Sequence, residues 1–338
     1  MPELESAYRG RRVLVLGGTG FLGWNLVERL CQIGALVTAF ARDGGQVWDL
    51  LPPDQRPRFV AGHLEDPTAI EAIVSDQEVI FNVAGRSGAL ISNQHPLADL
   101  EANCRGVLHV LEACRRLNPK VRVVFPGSRL QYGPVRYLPV DEMHPMEPLC
   151  IYGIHKLAGE KYHLLYHRLY DLPTAVLRLS NPYGPSPINH QTRYNIVNYF
   201  MRQALRGGPL RVFGDGRQVR DYLYIGDAVD AFLLAGSHPA AVGRVFNVGG
   251  GQPIPFIEMA RTIVEVVGRG WIESVPWPDE YQRIETGDLY FDLSAIRRAL
   301  DWQPRTDLAT GICLSVERLR VIAAAAGDQD ASLLLRHL

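Results

Sequence analysis

The stretch RVLVLGGTGFLGWNLVERL (Arg12–Leu30) decides the fold. After Arg12 it begins with a short, wholly apolar run, which suits a strand buried on both faces better than a helix. Three glycines follow at GxxGxxG spacing, Gly17, Gly20 and Gly23, and a helical stretch, Phe21–Ile33, opens inside the motif. A strand-to-helix turn this tight needs a residue free of Cβ, and a pyrophosphate reaches the backbone only where side chains are missing. The first helical turn, with Phe21 and Leu22, presents unpaired N–H groups and the positive end of the helix dipole to phosphate. Glycine-rich turns of this kind also form for packing alone. Here the strand before, the helix after and the place at the head of the chain agree on a dinucleotide site.

Working outward, short β-branched runs alternate with amphipathic stretches. Strands are expected at Leu36–Ala41, Arg58–Ala61, Glu78–Val83, Val121–Phe125 and Thr174–Arg178. Helices are expected at Thr68–Val74, Pro96–Leu117 and Ile151–Tyr170. Regular βαβ alternation gives a doubly wound, Rossmann-like parallel sheet. After Arg178 the rhythm breaks into loops, a helix near Asn195–Arg206, a helix at Asp227–Ala235, a strand at Arg244–Val248 and helices near Pro255–Val267 and Leu308–Ala325. The fold class is therefore α/β, with a smaller C-terminal substrate-binding cap. The division expected is a dinucleotide-binding domain over 1–180 with 226–250 returning to it, a cap over 181–225 and 251–325, and a tail over 326–338.

Composition narrows the function. The 338 residues carry 35 Lys+Arg against 36 Asp+Glu, a net charge of −1, with 47 % hydrophobic and 21 % charged residues. No basic excess exists to neutralise a nucleic-acid backbone, and no apolar run nears the ~20 residues that span a bilayer. The N-terminal MPELESAYRGRR has no apolar segment that would serve as a signal peptide. Five cysteines, Cys31, Cys104, Cys114, Cys150 and Cys313, are odd in number and form no CxxC pair. They read as reduced thiols of a cytoplasmic protein, with neither a disulfide framework nor a metal site.

The second strand should end with the group that meets the adenosine ribose. In ALVTAFARDGG that position is Ala41, followed by Arg42, where a carboxylate would select NAD. A small residue and a guanidinium suit a 2′-phosphate, so NADP is favoured over NAD. The alternative is that Arg42 is a solvated loop residue and NAD binds without a carboxylate.

In IYGIHKLAGEKYH, Tyr152 and Lys156 lie four apart and share a helix face. An ammonium beside a phenol favours phenolate and draws its pKa down from about 10. Lysine occurs only at Lys120, Lys156 and Lys161, which makes a chance pairing uncommon. Upstream, VVFPGSRLQYG places Ser128 at the C-terminal end of a strand, where open α/β sheets bind ligands. Glycine turn, Ser128, Tyr152 and Lys156 together point to hydride chemistry on an alcohol or ketone.

The ordered motifs GGTGFLG, SRLQYG, YGIHK, RLSNPYGP, VFGDGRQVRDYLYIGD, FNVGGG and DLSAIRRALDWQP resemble those of the extended short-chain dehydrogenase/reductases of the NAD-dependent epimerase/dehydratase type, which act on nucleotide sugars. The resemblance implies Tyr152 as acid/base, Lys156 on the nicotinamide ribose, and Ser128 on the reacting oxygen. It implies Ala84 and Asn103 at the cofactor, Asn181 at the sugar nucleotide, Arg220 on the substrate diphosphate and Arg283 as a second such arginine. Many epimerases place that second arginine where this chain has Glu285. Arg129 and Leu130 stand where sugar 4,6-dehydratases carry an Asp-Glu pair, and no cysteine is present for 3,5-epimerisation. His155, in place of a usual small residue, is read as a helix-surface or interface histidine. A nucleotide-diphosphate-sugar epimerase, acting at C4 through a 4-keto intermediate, is the reading implied. A 4-keto-sugar reductase using NADPH is the alternative, and a non-catalytic nucleotide-sensing module has no use for a poised phenolate. A homodimer through the Pro96–Leu117 and Ile151–Tyr170 helices is also implied.

Overall fold

The computed structural model describes residues 2–187 and 195–325. The expected tail, 326–338, lies outside them. Seven strands form one sheet: β1 (Arg12–Leu16), β2 (Leu36–Ala41), β3 (Arg58–Ala61), β4 (Val79–Asn82), β5 (Arg122–Ser128), β6 (Thr174–Leu179) and, far along the chain, Arg244–Val248. All are parallel, in the spatial order Arg244–Val248, β6, β5, β4, β1, β2, β3. The winding direction reverses between β1 and β4. That is the switch point at whose carboxyl edge open α/β sheets bind ligands.

Alternation along β1 shows why its sequence is apolar throughout. Val13 and Val15 point into one core layer with Trp24, Leu26 and Leu30 of the helix Phe21–Gln32, while Leu14 and Leu16 point into the opposite layer with Ile70, Val107 and Val110. Each face is covered by helices, so every position of the strand after the exposed Arg12 is apolar. The N-terminal helix α1 (Pro2–Tyr8) was not legible as a helix. Tyr8 is fully buried and donates to the Leu233 carbonyl at 2.7 Å, which fixes the helix to the sheet layer.

Helix α2 (Phe21–Gln32) and α3 (Pro67–Val74) match the periodicity. The Pro96–Leu117 stretch departs from it. After a short α4 (Ala89–Gln94), the stretch forms α5 (Pro96–Leu100), a π-helical turn over Glu101–Arg105 and α6 (Gly106–Leu117) instead of one helix. The wide turn offsets α5 from α6, and such turns frequently mark functional sites. Helix α7 (Ile151–Tyr170) spans the expected residues.

The remainder holds β7 (Asn181–Tyr183), α8 (Ile196–Leu205), β8 (Pro209–Phe213), β9 (Val219–Tyr224), α9 (Ile225–Ser237), β10 (Arg244–Val248), β11 (Pro253–Pro255), α10 (Phe256–Val267), β12 (Trp271–Val275), α11 (Asp279–Gln282), α12 (Ser294–Leu300) and α13 (Leu308–Ala325). Strands β7, β9 and β11 form one small sheet and β8 with β12 another. They share a separate core with α8, α10 and α13 around Phe200, Met201, Val212, Ile263 and Ile312. Within the expected cap, the segment around α12 departs from the division. Ile296, Leu300 and Trp302 are buried in the core of the large sheet, and Trp302 Nε1 donates to the Asp227 carbonyl at 3.1 Å.

One buried ion pair joins these layers. Arg178 on β6 and Glu160 on α7 are 2 % and 0 % exposed, and they bond twice, Nη2 to Oε1 at 2.7 Å and Nε to Oε2 at 2.8 Å. Burial pushes the Glu160 carboxyl up, but the hydrogen bonds and charge of Arg178 outweigh it and leave it below its ordinary value. Removing one member leaves the other charged and unpaired in the core. Glu160→Gln is therefore expected to destabilise the fold by about 3–5 kcal/mol, read as a lower urea midpoint at unchanged slope. A loss below 1 kcal/mol contradicts this account.

Candidate active site

The glycine turn is built for close approach. Gly17 has φ +81°, and a Cβ there would meet the Ala84 Cα at 2.6 Å. A Cβ on Gly23 would lie 2.0 Å from the Gly17 carbonyl oxygen. The end of β1, the Ala84 loop and the start of α2 thus sit backbone to backbone. Gly20 is the N-cap of α2 and has no capping side chain, so no protein side chain at the cap competes for the first-turn N–H groups of Phe21 and Leu22. This cradle fits a dinucleotide pyrophosphate, with Gly17, Gly20, Phe21, Leu22 and Gly23 as its holders.

Ala84 lines that cradle. Asn103 lies beneath it, 2 % exposed. Its Oδ1 accepts from the Arg86 N–H at 3.1 Å, and its Nδ2 donates to the Arg86 carbonyl at 3.0 Å and to Asp99 Oδ1 at 2.9 Å. Asn103 therefore holds the loop that follows Ala84. Arg42 is exposed at the end of β2, beside the nearly buried Ala41, and has no hydrogen-bond or ion-pair partner among the described residues.

Ser128 is the last residue of β5 and caps the 3₁₀ turn Arg129–Gln131. Its Oγ accepts from the Leu130 N–H at 3.2 Å, and its own N–H donates to Gln131 Oε1. Gln131 in turn donates to Glu160 Oε2 at 2.8 Å. The Ser128 side chain lies near enough to the Tyr152 phenol to favour its ionised form. Tyr152 and Lys156 share a face in the first turns of α7, whose N-cap is Cys150, and the Tyr152 N–H donates to Ser92 Oγ at 3.0 Å. Ser128, Tyr152 and Lys156 thus converge at the carboxyl edge of the sheet, next to the glycine turn.

The electrostatics correct one expectation. Burial raises the Tyr152 phenol above its ordinary value, the Ser128 hydrogen bond draws it part of the way back, and Asp99 raises it further. Lys156 does not lower it, because its ammonium lies 4.0 Å above the Phe125 ring instead of against the phenol. Burial brings Lys156 down to about 7, with the charge of Asp99 pulling it upward.

Asp99 was missed, although its place four residues before Asn103 was a usable signal. It is 1 % exposed; Oδ1 meets Asn103 and, at 2.6 Å, His155 Nδ1, while Oδ2 is buried without a hydrogen-bond partner. His155 is consequently tied inward and is not a free surface histidine.

Asn181 bridges two elements of the opposite wall. Its Nδ2 donates to the Asp221 carbonyl at 3.0 Å and its Oδ1 accepts from Arg129 Nε at 2.9 Å. Arg220 is 6 % exposed; its Nη1 donates to the Val219 and Gly287 carbonyls at 2.8 Å each, and its Nη2 pairs with Glu285. Arg283 is exposed at the end of α11. Among the described residues there is no metal-holding cluster of acidic, histidine or cysteine side chains, and no helix long and apolar enough to cross a membrane.

Comparison with known proteins agrees with this geometry. The model of the NAD dependent epimerase/dehydratase family matches residues 13–249. A UDP-glucose 4-epimerase of Mycolicibacterium smegmatis is 32 % identical over 316 residues, covering 91 % of this chain and 98 % of its own. The structure of an epimerase from Methanothermobacter thermautotrophicus superposes with TM-score 0.87 at 27 % identity, covering 96 % and 97 % of the two chains. That of the Thermus thermophilus UDP-glucose 4-epimerase complex with NAD gives 0.80 at 28 % identity, covering 91 % and 99 %. Sheet, glycine turn and Ser-Tyr-Lys set define an extended short-chain dehydrogenase/reductase, an NAD(P)-dependent enzyme. The chain belongs to the NAD-dependent epimerase/dehydratase family within that class.

The position of Asp99 generates a pH prediction. Its charge supports the protonated form of Lys156, so Asp99→Asn should move the Lys156 titration below about 7. If the ammonium is the working form, the alkaline limb of kcat/KM shifts to lower pH in the variant. A limb that stays in place separates Asp99 from Lys156.

Proposed function

We propose that the protein is a nucleotide-sugar epimerase that inverts C4 through a transient 4-keto sugar. The observation that carries this reading is the meeting of Ser128, Tyr152 and Lys156 beside the cofactor cradle, with Arg129 and Leu130 where dehydratases of this family carry their acid pair. The likeness to UDP-glucose 4-epimerases along nearly the whole chain supports it. Residues 1–180 and 226–250 hold the cofactor, and the cap over 181–225 and 251–325, apart from the segment around α12 and with Asn181 in its wall, reads the substrate.

The cofactor, when bound, supplies the hydride acceptor and donor. Tyr152 Oη takes the proton of the C4 hydroxyl as the carbinol is oxidised, and later returns it. Ser128 Oγ hydrogen-bonds the reacting oxygen, which keeps the phenol and the sugar carbon in line. Lys156, with its ammonium over the Phe125 ring, holds the nicotinamide ribose. The keto sugar turns over before reduction, so the same cofactor serves each cycle and has no need to leave. Exposed Leu97, Ile154, Leu165 and Leu169 on α5 and α7 suit a homodimer built on these helices, and the unpaired cysteines suit a cytoplasmic setting.

If this reading holds, denatured enzyme releases a stoichiometric oxidised cofactor, identified by mass. Tyr152→Phe retains that cofactor and the fold while losing at least ~10²-fold in turnover on nucleotide sugars the parent epimerises. An empty parent site points to the reductase. Near-normal turnover in the variant removes the mechanism.

One observation favours a specific cofactor. Arg42, exposed and unpartnered at the ribose end, provides a guanidinium without the carboxylate that would repel a 2′-phosphate. NADP is therefore our reading, although a related structure carries NAD. Arg42→Ala is expected to weaken NADP(H) by about 1.5–3 kcal/mol and to leave NAD(H) nearly unchanged, as read by calorimetry. A parent that prefers NAD, or equal losses for both cofactors, overturns the assignment.

A further inference from the structure

Three arginines were candidates for holding the anionic part of the substrate, and the structure distributes them unevenly. Arg220 is committed: two carbonyls and the Glu285 carboxylate occupy its fork. Arg283 is exposed at the end of α11. Arg129, which sequence reasoning set aside as unable to serve a dehydratase, follows directly on Ser128 in the turn that carries it.

The 3₁₀ turn sends consecutive side chains in different directions. Gln131 goes into the core toward Glu160, whereas Arg129 goes toward the cap. Its Nε donates to Asn181 Oδ1 at 2.9 Å and its Nη1 to Thr286 Oγ1 at 3.4 Å. Both partners are neutral. No carboxylate pairs with Arg129 among the described residues, because the nearby Glu285 has turned to Arg220. The guanidiniums of Arg129 and Arg220 have one carboxylate between them, Glu285, and it is spent on Arg220. A half-buried cation without a counter-ion is costly, and an arriving anion offsets that cost. Burial, with the repulsion of Arg220 next, brings Arg129 down to about 10, which leaves it charged at neutral pH. Three of its five N–H donors have no protein acceptor among the described residues, enough for a bidentate grip on a phosphate or carboxylate.

We propose that Arg129 is the residue that binds an anionic group of the substrate beside the reacting sugar carbon, in the role that resemblance assigned to Arg220 and Arg283. The group is either a phosphate of the nucleotide diphosphate or a carboxylate on the sugar; both present paired oxygens to the same fork. The inference rests on the sugar-nucleotide reading given above. Glu285 belongs to the same arrangement: by pairing with Arg220 it leaves Arg129 without a carboxylate.

The test is calorimetric titration of uridine, UDP, UDP-glucose and UDP-glucuronate into the full chain and into Arg129→Gln, with Arg283→Ala as a control. Loss of a hydrogen-bonded ion contact predicts about 10- to 100-fold weaker binding in Arg129→Gln and little change in Arg283→Ala. Equal weakening of the three diphosphates with uridine unchanged supports the inference and identifies phosphate as the group held. Weakening confined to UDP-glucuronate supports it and identifies a sugar carboxylate. No weakening of any ligand in a variant of parental melting temperature overturns it. Weakening of uridine to the same degree also overturns it, since a collapsed pocket and not a lost ion contact is then the cause. If Arg129→Gln does not fold, Arg129→Lys, which keeps the charge and loses the fork, is titrated against the same outcomes. A parent that binds none of the four ligands removes the sugar-nucleotide reading itself, an outcome separate from those of the variant.

Discussion

The pair Glu160–Arg178 is the constraint on which the active site depends. Glu160 lies one helical turn beyond Lys156 on α7, and Arg178 sits near the end of β6, so their twofold contact locks the catalytic helix to the sheet. The lock extends sideways. Glu160 accepts from Gln131, whose side-chain Oε1 accepts the Ser128 N–H, while Arg178 donates to the Tyr132 hydroxyl at 2.7 Å and that hydroxyl donates to Asn247 Oδ1 at 2.5 Å on β10. The separation of Ser128 and Tyr152 is thereby set by groups that touch no substrate. A site of this kind needs its supporting groups fixed more tightly than its reacting ones.

Much of this was legible because sequence-local rules governed it. The β1 run, the three glycines and the i, i+4 pair of Tyr152 and Lys156 follow from strand burial, turn geometry and helix periodicity, and the structure places them as those rules require. What escaped the sequence was set by tertiary partners. The π-helical turn over Glu101–Arg105 breaks an otherwise continuous periodic stretch, and no local signal foretells it. His155 was misread because its partner, Asp99, lies on another helix. The phenol of Tyr152 departs from expectation because the direction of the Lys156 side chain, onto Phe125, is a packing outcome that spacing does not encode.

Charge placement in the cap wall shows the same division. A motif comparison assigns phosphate contacts to arginines by position, yet arginine function depends on which acceptors are already satisfied. Arg220 sits at the matching position and is occupied by Glu285, whereas Arg129 sits at a position associated with other chemistry and has donors to spare. One neighbour, Glu285, at the position the resemblance reserves for a second arginine, decides which guanidinium keeps free donors.

The order in which the strands are made has a consequence for the nascent chain. The sheet's first six strands leave the ribosome in sequence, but its seventh, β10, arrives only after β7, β8 and β9 of the cap. Until then β6 is an open edge, and its apolar residues, Ala175 and Leu177 among them, gain the cover of α9 only shortly before β10 itself. Such an edge templates pairing with other chains. The half-made sheet is therefore open to such pairing until the chain has passed through the cap and back to deliver β10, so the two layers are completed together.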